Sequence, residues 1–300
     1  MATRPSKGGC ACRRPGVEQG EILRCLQADP GLLRAVELAG RHGQVDGRKA
    51  KKLAEVAGFC EVILRYMEGY LREVPKPRIV EFSCGKSYLG IVLAVLMRRW
   101  SGREPVLVGV DANEELVGRC WRLAAAAGLQ DAAFVASRTI DYGPTGPVDV
   151  VVALHACDTA TDEAIARGIT MSARLILVVP CCQNQVRGQI RGGHVLTGMT
   201  DFGPVRYRLA NLLTDALRAQ FLRSAGYHVE LAEIVSPRLT PKNLCICARR
   251  TRRGPARGRD RDYRALRDFF GVRPALERLC PDVIRGTHGG RRAALGPAGD

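Results

Sequence analysis

Residues 150–162, VVVALHACDTATD, hold the densest chemistry in the chain. An apolar run delivers His155, Asp158 and Asp162 to the start of a helical pattern, so an imidazole and two carboxylates meet at one strand end. His155 and Asp158 there can orient a substrate or take its proton. Structural duties compete: Thr159-x-x-Asp162 reads as a capping box, which accounts for Thr159 and Asp162 only. A lone histidine can equally be a hydrogen-bonding core residue. The next apolar run, ARLILVVPCC, closes on Cys181, Cys182, Gln183 and Asn184. Neighbouring strand residues point to opposite faces, so the adjacent thiols do not read as a metal pair. They read as compact groups that admit a substrate, with Gln183 and Asn184 as hydrogen-bonding partners. None of the twelve cysteines forms a C-x2-C pair, and no metal is expected. Cys245 and Cys247 alternate on one strand face, Cys10 and Cys12 fall in a tail, and the thiols read as small hydrophobes of a reducing compartment.

A third cluster, residues 81–87 (EFSCGKS), joins a short apolar run to a helical one. Small residues let the backbone approach a ligand, and a helix N-terminus offers its N–H groups to a negative one. Gly85-Lys86-Ser87 fits the end of a P-loop, but Val80 stands where the first glycine belongs. The dinucleotide G-x-G-x-x-G is absent. The acidic-x-G-x-G-x-G turn of class I methyltransferases fits at Glu81 and Gly85, with Ser83 and Ser87 in place of glycines. Asp111, which ends the next apolar run, is placed to accept hydrogen bonds from ribose hydroxyls. As a helix cap it is redundant, because Asn113 can serve.

These residues need a scaffold. Runs rich in Val and Ile (RIVEFS, VLVGVD, AAFVAS, PVDVVVALHA, ARLILVVPCC) alternate with helical segments, which predicts βαβ units and a parallel sheet buried on both faces. HVELAEIV and NLCICARR are separated by SPRLTPK, too short for a helical crossover, so this pair must be an antiparallel hairpin. Ligands of such a sheet sit at the carboxyl ends of its strands, where all three clusters lie. Before the sheet, residues 1–16 read as a flexible tail and residues 17–74 as a helical extension. In the extension two short helices break at Asp29-Pro30-Gly31, and a helix of about seven turns follows from Gly47. Residues 75–250 form the main domain, and residues 251–300 a basic tail with short helices. Residues 186–205 show no clear period, hold Arg187, Arg191 and His194, and read as a substrate lid.

The composition, 46% hydrophobic and 25% charged over 300 residues, excludes a disordered chain and a small disulfide-stapled domain. No apolar stretch is long enough to cross a membrane, and the N-terminus has no apolar secretory core, so the cytoplasm is the expected location. The net charge is +16, and residues 249–300 hold 14 Lys and Arg against 6 Asp and Glu. Such a body attracts polyanions, RNA above all, although an arginine-rich genome gives the same excess. Arg48, Lys49, Lys51 and Lys52 crowd the positive end of their own helix, a placement that an anion would offset.

Taken together, the turn Gly85-Lys86-Ser87-Tyr88-Leu89, the strand end LHACDTATD and the strand end Pro180-Cys181-Cys182-Gln183 resemble a family of class I S-adenosylmethionine-dependent methyltransferases. Pro241-Lys242-Asn243-Leu244 matches the family's entry to the last strand, and the likeness spans about residues 45–280. More distantly, the motifs are similar to those of tRNA 2′-O-methyltransferases. The resemblance implies a Rossmann-like α/β fold with a seven-stranded, mostly parallel sheet whose last strand is antiparallel. It also implies S-adenosylmethionine as cofactor, held by Glu81, Ser83, Gly85, Lys86, Ser87, Tyr88, Asp111, Ala112, Ser137, Arg138 and Leu154. His155, Asp158 and Gln183 would face the acceptor as catalytic groups, with Cys181, Cys182, Asn184, Lys51 and Lys52 contacting it. Ser83 departs from the family's glycine and implies a weaker hold on the cofactor, and Asn184 stands where a histidine is common. RNA is the expected acceptor. A protein or small-molecule acceptor, or a binding protein without catalysis, would use the same fold. The oligomeric state has no signature in the sequence.

Overall fold

The computed structural model describes residues 18–154, 156–190, 195–236, 238–240, 242–252 and 260–285. At the N-terminal end, Asp29-Pro30 interrupts the chain between α1 (Gln19–Gln27) and α2 (Pro30–Ala35), and the Asp29 carboxylate accepts from the Leu32 N–H at 2.8 Å. Helix α3 (Gly47–Tyr70) is 24 residues long and capped by Asp46, which accepts from the Lys49 N–H at 2.9 Å. Leu53, Val56, Cys60, Ile63 and Met67, spaced three or four residues apart, form a buried stripe along it, whereas Ala50 and Tyr70 at its two ends are exposed. Phe59, Val62 and Tyr66 are buried as well, because α3 packs on more than one side. At Gly58 a Cβ would meet the Ile234 carbonyl oxygen at 1.9 Å, so only glycine allows this approach.

The βα alternation then runs as β1 (Arg78–Phe82), α4 (Tyr88–Ser101), β2 (Val106–Asp111), α5 (Glu114–Ala126), β3 (Ala132–Ala136), a 3-10 turn (Thr139–Asp141) and β4 (Val150–Leu154). It continues through α6 (Thr159–Thr170), β5 (Leu175–Val179), α7 (Asn184–Arg187), α8 (Thr197–Thr200), α9 (Gly203–Ser224), β6 (Tyr227–Glu233) and β7 (Leu244–Arg250). The seven strands lie in the order β3-β2-β1-β4-β5-β7-β6. Strands β1 to β5 are parallel, and β7 is antiparallel to both β5 and β6. The hairpin expected from the short β6–β7 connection is therefore present. The chain has the Rossmann-like fold of class I methyltransferases. Order reverses between β1 and β4, and the loops after β1, β2, β4 and β5 meet at that edge.

One apolar layer unites α1 to α5 with one sheet face, and a second unites α6, α9 and the C-terminal helices with the other. The N-terminal helices are thus part of a covering layer as much as an extension. Residues 260–285, expected as a basic tail with short helices, form α10 (Arg261–Phe270), α11 (Ala275–Leu279) and α12 (Pro281–Arg285). Their basic composition concealed an apolar side: Tyr263, Val272 and Leu276 are buried in the second layer. The aperiodic stretch 186–205 holds α8 and the first turn of α9, helical pieces too short to impress a period. Arg191, His194 and residues 1–16 lie outside the described residues. Among the described residues no helix is long and apolar enough to cross a membrane.

Candidate active site

The loop from β1 to α4 turns sharply by placing three residues at positive φ: Ser83 (50°), Gly85 (54°) and Ser87 (49°). Glycine adopts this conformation freely, and serine does so at a cost of about 1–2 kcal/mol. These are the positions at which the methyltransferase turn carries glycine, so the serines keep the backbone shape. Glu81 lies beneath the turn, where its carboxylate accepts from the Ser87 hydroxyl and from the Gly90 N–H. Burial pushes the Glu81 carboxyl up to about 7 against the pull of those hydrogen bonds. The side chains of Glu81 and Ser87 are turned inward and act as the clamp of the turn.

Asp111 closes the corner. Its Oδ2 accepts from the Gly85 N–H at 2.8 Å and its Oδ1 from the Asn113 N–H at 3.0 Å. Asn113 does cap α5, accepting from the Leu116 N–H at 3.1 Å, as the sequence allowed. The Ser137 N–H donates to the Asp111 carbonyl at 2.9 Å, which brings the end of β3 to the same edge. Ala112 is exposed, Ser83, Gly85, Asp111, Ser137 and Leu154 are half-buried, and Arg138 is exposed beside Asp141 at 3.7 Å. An adenosyl group with a methionine tail fits this corner. A Cβ on Gly85 would meet nothing within 4 Å, and each oxygen of the half-exposed Asp111 carboxylate retains a lone pair for a ribose hydroxyl.

Lys86 and Tyr88 lead away from this corner toward the N-terminal helices. The Lys86 ammonium pairs with Glu37 at 3.2 Å and lies 5.7 Å from the Tyr88 ring centre, and Arg119 grips the same Glu37 carboxylate. Neighbouring these residues is a cavity of about 690 Å³. Arg34, Arg41, Arg48, Lys49, Lys52 and Lys86 line it, against the acids Glu37 and Asp46. Lys52 is half-buried, 3.6 Å from Glu55, while Lys51 is exposed and is not among the lining residues.

The β4–β5 side is assembled differently. His155 lies outside the described residues. Asp158 adopts φ 51° and ψ −119°, a conformation rarely open to a side-chain-bearing residue. Its Oδ1 accepts from the Gln185 N–H at 3.0 Å, and its carbonyl accepts from Arg218 at 2.8 Å. The expected capping box is not formed: Asp162 instead takes two hydrogen bonds from Arg218, both 2.9 Å, because a buried guanidinium needs that carboxylate more than the helix end does. Arg218 is 1% exposed and also pairs with Asp215 at 3.3 Å. Burial raises the Asp215 carboxyl against the pull of Arg218. Gln183 is buried, with its amide nitrogen 3.3 Å from Asp215 and its Oε1 without a hydrogen-bond partner among the described residues. Asn184 opens α7 and is exposed.

The strand rule misplaced the cysteine pair. β5 ends at Val179, so alternation no longer applies at Cys181 and Cys182, and their sulfurs are 3.2 Å apart. Cys157, after β4, brings a third sulfur to 2.9 Å from Cys181. Burial opposes ionisation of Cys182, yet hydrogen bonds from Cys181, Cys157 and the Asp158 N–H, with the charge of Lys242, hold its thiol below the ordinary range. Lys242 and Arg187 flank the Tyr207 ring at 5.1 and 5.6 Å from its centre. Sequence reasoning missed Asp215, Arg218 and Tyr207, all on α9. The weak signal was an acid and an arginine three residues apart, Asp215 and Arg218, interleaved with Leu213, Leu217 and Phe221.

Comparison with known proteins finds similar solved structures and one matching family model. No curated protein matches the chain in sequence. Solved structures similar to it include magnesium protoporphyrin IX methyltransferase from Synechocystis PCC 6803 with bound S-adenosylhomocysteine. That likeness is 15% identical, with a TM-score of 0.46, over 76% of this chain and 99% of that one. An rRNA methylase from Streptococcus thermophilus is 10% identical over 63% of this chain and 96% of that one, with a TM-score of 0.40. The acceptor named for each belongs to that protein. Residues 51–189, which hold the turn at 81–87, Asp111 and both cysteine-bearing strand ends, match the family model described as a methyltransferase domain. The chain therefore carries a methyltransferase domain, and it is an S-adenosylmethionine-dependent enzyme.

Proposed function

We propose that the acceptor is RNA and that the enzyme acts in the cytoplasm. The observation that carries this reading is the cavity of about 690 Å³ beside the turn, lined by six cationic side chains and two acids. It adjoins the cofactor corner through Lys86 and Tyr88, so a polyanion held there would reach the edge of the methyl donor. Lys51 and the exposed Arg41 and Arg48 extend the positive surface.

Bound S-adenosylmethionine supplies a methyl carbon activated by its sulfonium, so the chain's own task is alignment, exclusion of water and removal of the acceptor's proton. Ser83 to Gly85 shape the methionine end, Asp111 and Ala112 the ribose, and Ser137 with Arg138 the base, with Tyr88 and Leu154 at the margins. Opposite them, the orphaned Gln183 Oε1 accepts a hydrogen bond from an acceptor N–H or O–H. His155 and Asp158 serve as the groups that position the acceptor and receive its proton. Cys181, Cys182 and Asn184 border the acceptor.

The decisive experiment incubates the enzyme with methyl-labelled cofactor and fractionated cell extract. Label enters RNA, and the labelling falls steeply as salt rises. The double variant Arg41→Glu, Arg48→Glu, at two exposed positions, loses RNA labelling while keeping its affinity for the cofactor. Label confined to protein or small molecules, or RNA labelling indifferent to salt, overturns the reading.

A further inference from the structure

Cys157, Cys181 and Cys182 have no part in holding the cofactor, yet their three sulfurs converge within 4.8 Å of one another. Four thiolates around zinc at about 2.3 Å place neighbouring sulfurs about 3.8 Å apart. The 2.9 Å of Cys157–Cys181 and the 3.2 Å of Cys181–Cys182 are both shorter than that, so the sulfurs need to part by less than about 1 Å to take an ion between them. We propose that Cys157, Cys181 and Cys182 form a three-thiolate site for a zinc-class divalent ion, with the fourth coordination position open to water or to an acceptor atom. The inference concerns the sulfurs alone and is independent of whether the acceptor is RNA.

Two features of the fold favour a built site over a chance encounter of thiols. The ligands come from the segments that follow two adjacent parallel strands, whose last paired residues, Leu154 and Val179, set where the two segments start. Both segments are then pinned from behind. Arg218 holds the Asp158 carbonyl, Asp215 holds the Gln183 amide, and the Asp158 carboxylate holds the Gln185 N–H. Soft sulfur ligands select zinc-class ions over magnesium or calcium. Cys157 is exposed, which gives an ion a way in, and the charge of Lys242 offsets part of the net negative charge of a tris-thiolate complex. On binding, the protons remaining on the three thiols pass to solvent and no electrons are exchanged.

The full chain, purified without metal-affinity resin, tests this by elemental analysis and by titration with cobalt(II). The expected result is one ion per chain, a cobalt spectrum with thiolate charge-transfer and tetrahedral bands, and a melting temperature raised by zinc. Cys157→Ser alters an exposed position, so it folds, and it weakens the ion by roughly tenfold or more. The double variant Cys10→Ser, Cys12→Ser keeps the ion, which excludes chelation by the tail. A cobalt titration without thiolate bands, an unchanged affinity in Cys157→Ser, or an intact mass showing a Cys157–Cys181 disulfide in freshly isolated protein overturns the assignment.

Discussion

The β1–β2 corner and the β4–β5 corner face the same edge of one sheet and are held by different forces. The first is a backbone construction: three positive φ angles, a buried carboxyl under the turn, and Asp111 accepting an N–H from Gly85, 26 residues away. The second is an ionic one, in which Arg218 reaches across 56 residues to Asp162 and fixes the Asp158 segment by its carbonyl. A backbone cradle suits a cofactor that is the same compound in every turnover. A pinned segment with an orphaned amide oxygen and clustered thiols suits the place where an acceptor must be aligned.

The sharpest way to break this contrast is Arg218→Met. Removing the guanidinium leaves Asp162 and Asp215 buried without their cation, and the loss in unfolding free energy is about 3–5 kcal/mol by denaturant titration. A loss below about 1 kcal/mol, the size of a surface pair, would mean that the β4–β5 corner does not depend on its ion network.

Glu81 gives the next largest effect, at the other corner. Its carboxyl is raised from an ordinary 4.5 to about 7. The folded protein therefore holds this proton more tightly than the unfolded chain does. The resulting stability is fully present below pH 4.5 and is lost as pH rises through about 7. Glu81→Gln removes this dependence. Between pH 4.5 and pH 8 its unfolding free energy gains about 3 kcal/mol on the parent, which paired denaturation curves measure. Curves that stay parallel across that window would leave the carboxyl with no part in the clamp's energetics.

The smallest effects separate backbone from ligand. Ser83→Gly relieves a positive φ and raises stability by about 1 kcal/mol, with cofactor affinity by calorimetry unchanged or tighter. Gly85→Ala has the opposite sign, about 1 kcal/mol of lost stability with no clash, since no atom lies within 4 Å of the added Cβ. Its cofactor affinity falls further than its stability, because the new methyl occupies the face the ligand must approach. Equal losses in the two measurements would show that the ligand lies elsewhere.

The first corner was legible in the sequence because its information is local. Gly85 and the small residues around it announce a turn, Asp111 ends an apolar run, and Asn113 stands where a helix begins. The second corner was legible only in part. Asp162 looked like a capping residue because its true partner is on α9, beyond any local window. Cys181 and Cys182 looked divergent because the end of β5 could not be placed to the residue. The short C-terminal helices were expected, but not their packing, since a basic composition hid the apolar side formed by Tyr263, Val272 and Leu276.

What the sequence determined by itself is the order of strands and helices, the hairpin at the end of the sheet, and the sharp turn after the first strand. Each follows from hydrophobic period, connection length or backbone freedom, which act over a few residues at a time. Only the tertiary structure decided that Arg218 holds the β4–β5 corner, that three sulfurs meet, and that Lys86 joins a basic cavity beside the N-terminal helices. Those facts arise where segments distant in the chain are pressed together, and the burial that pairs their charges exists only once the layers have closed.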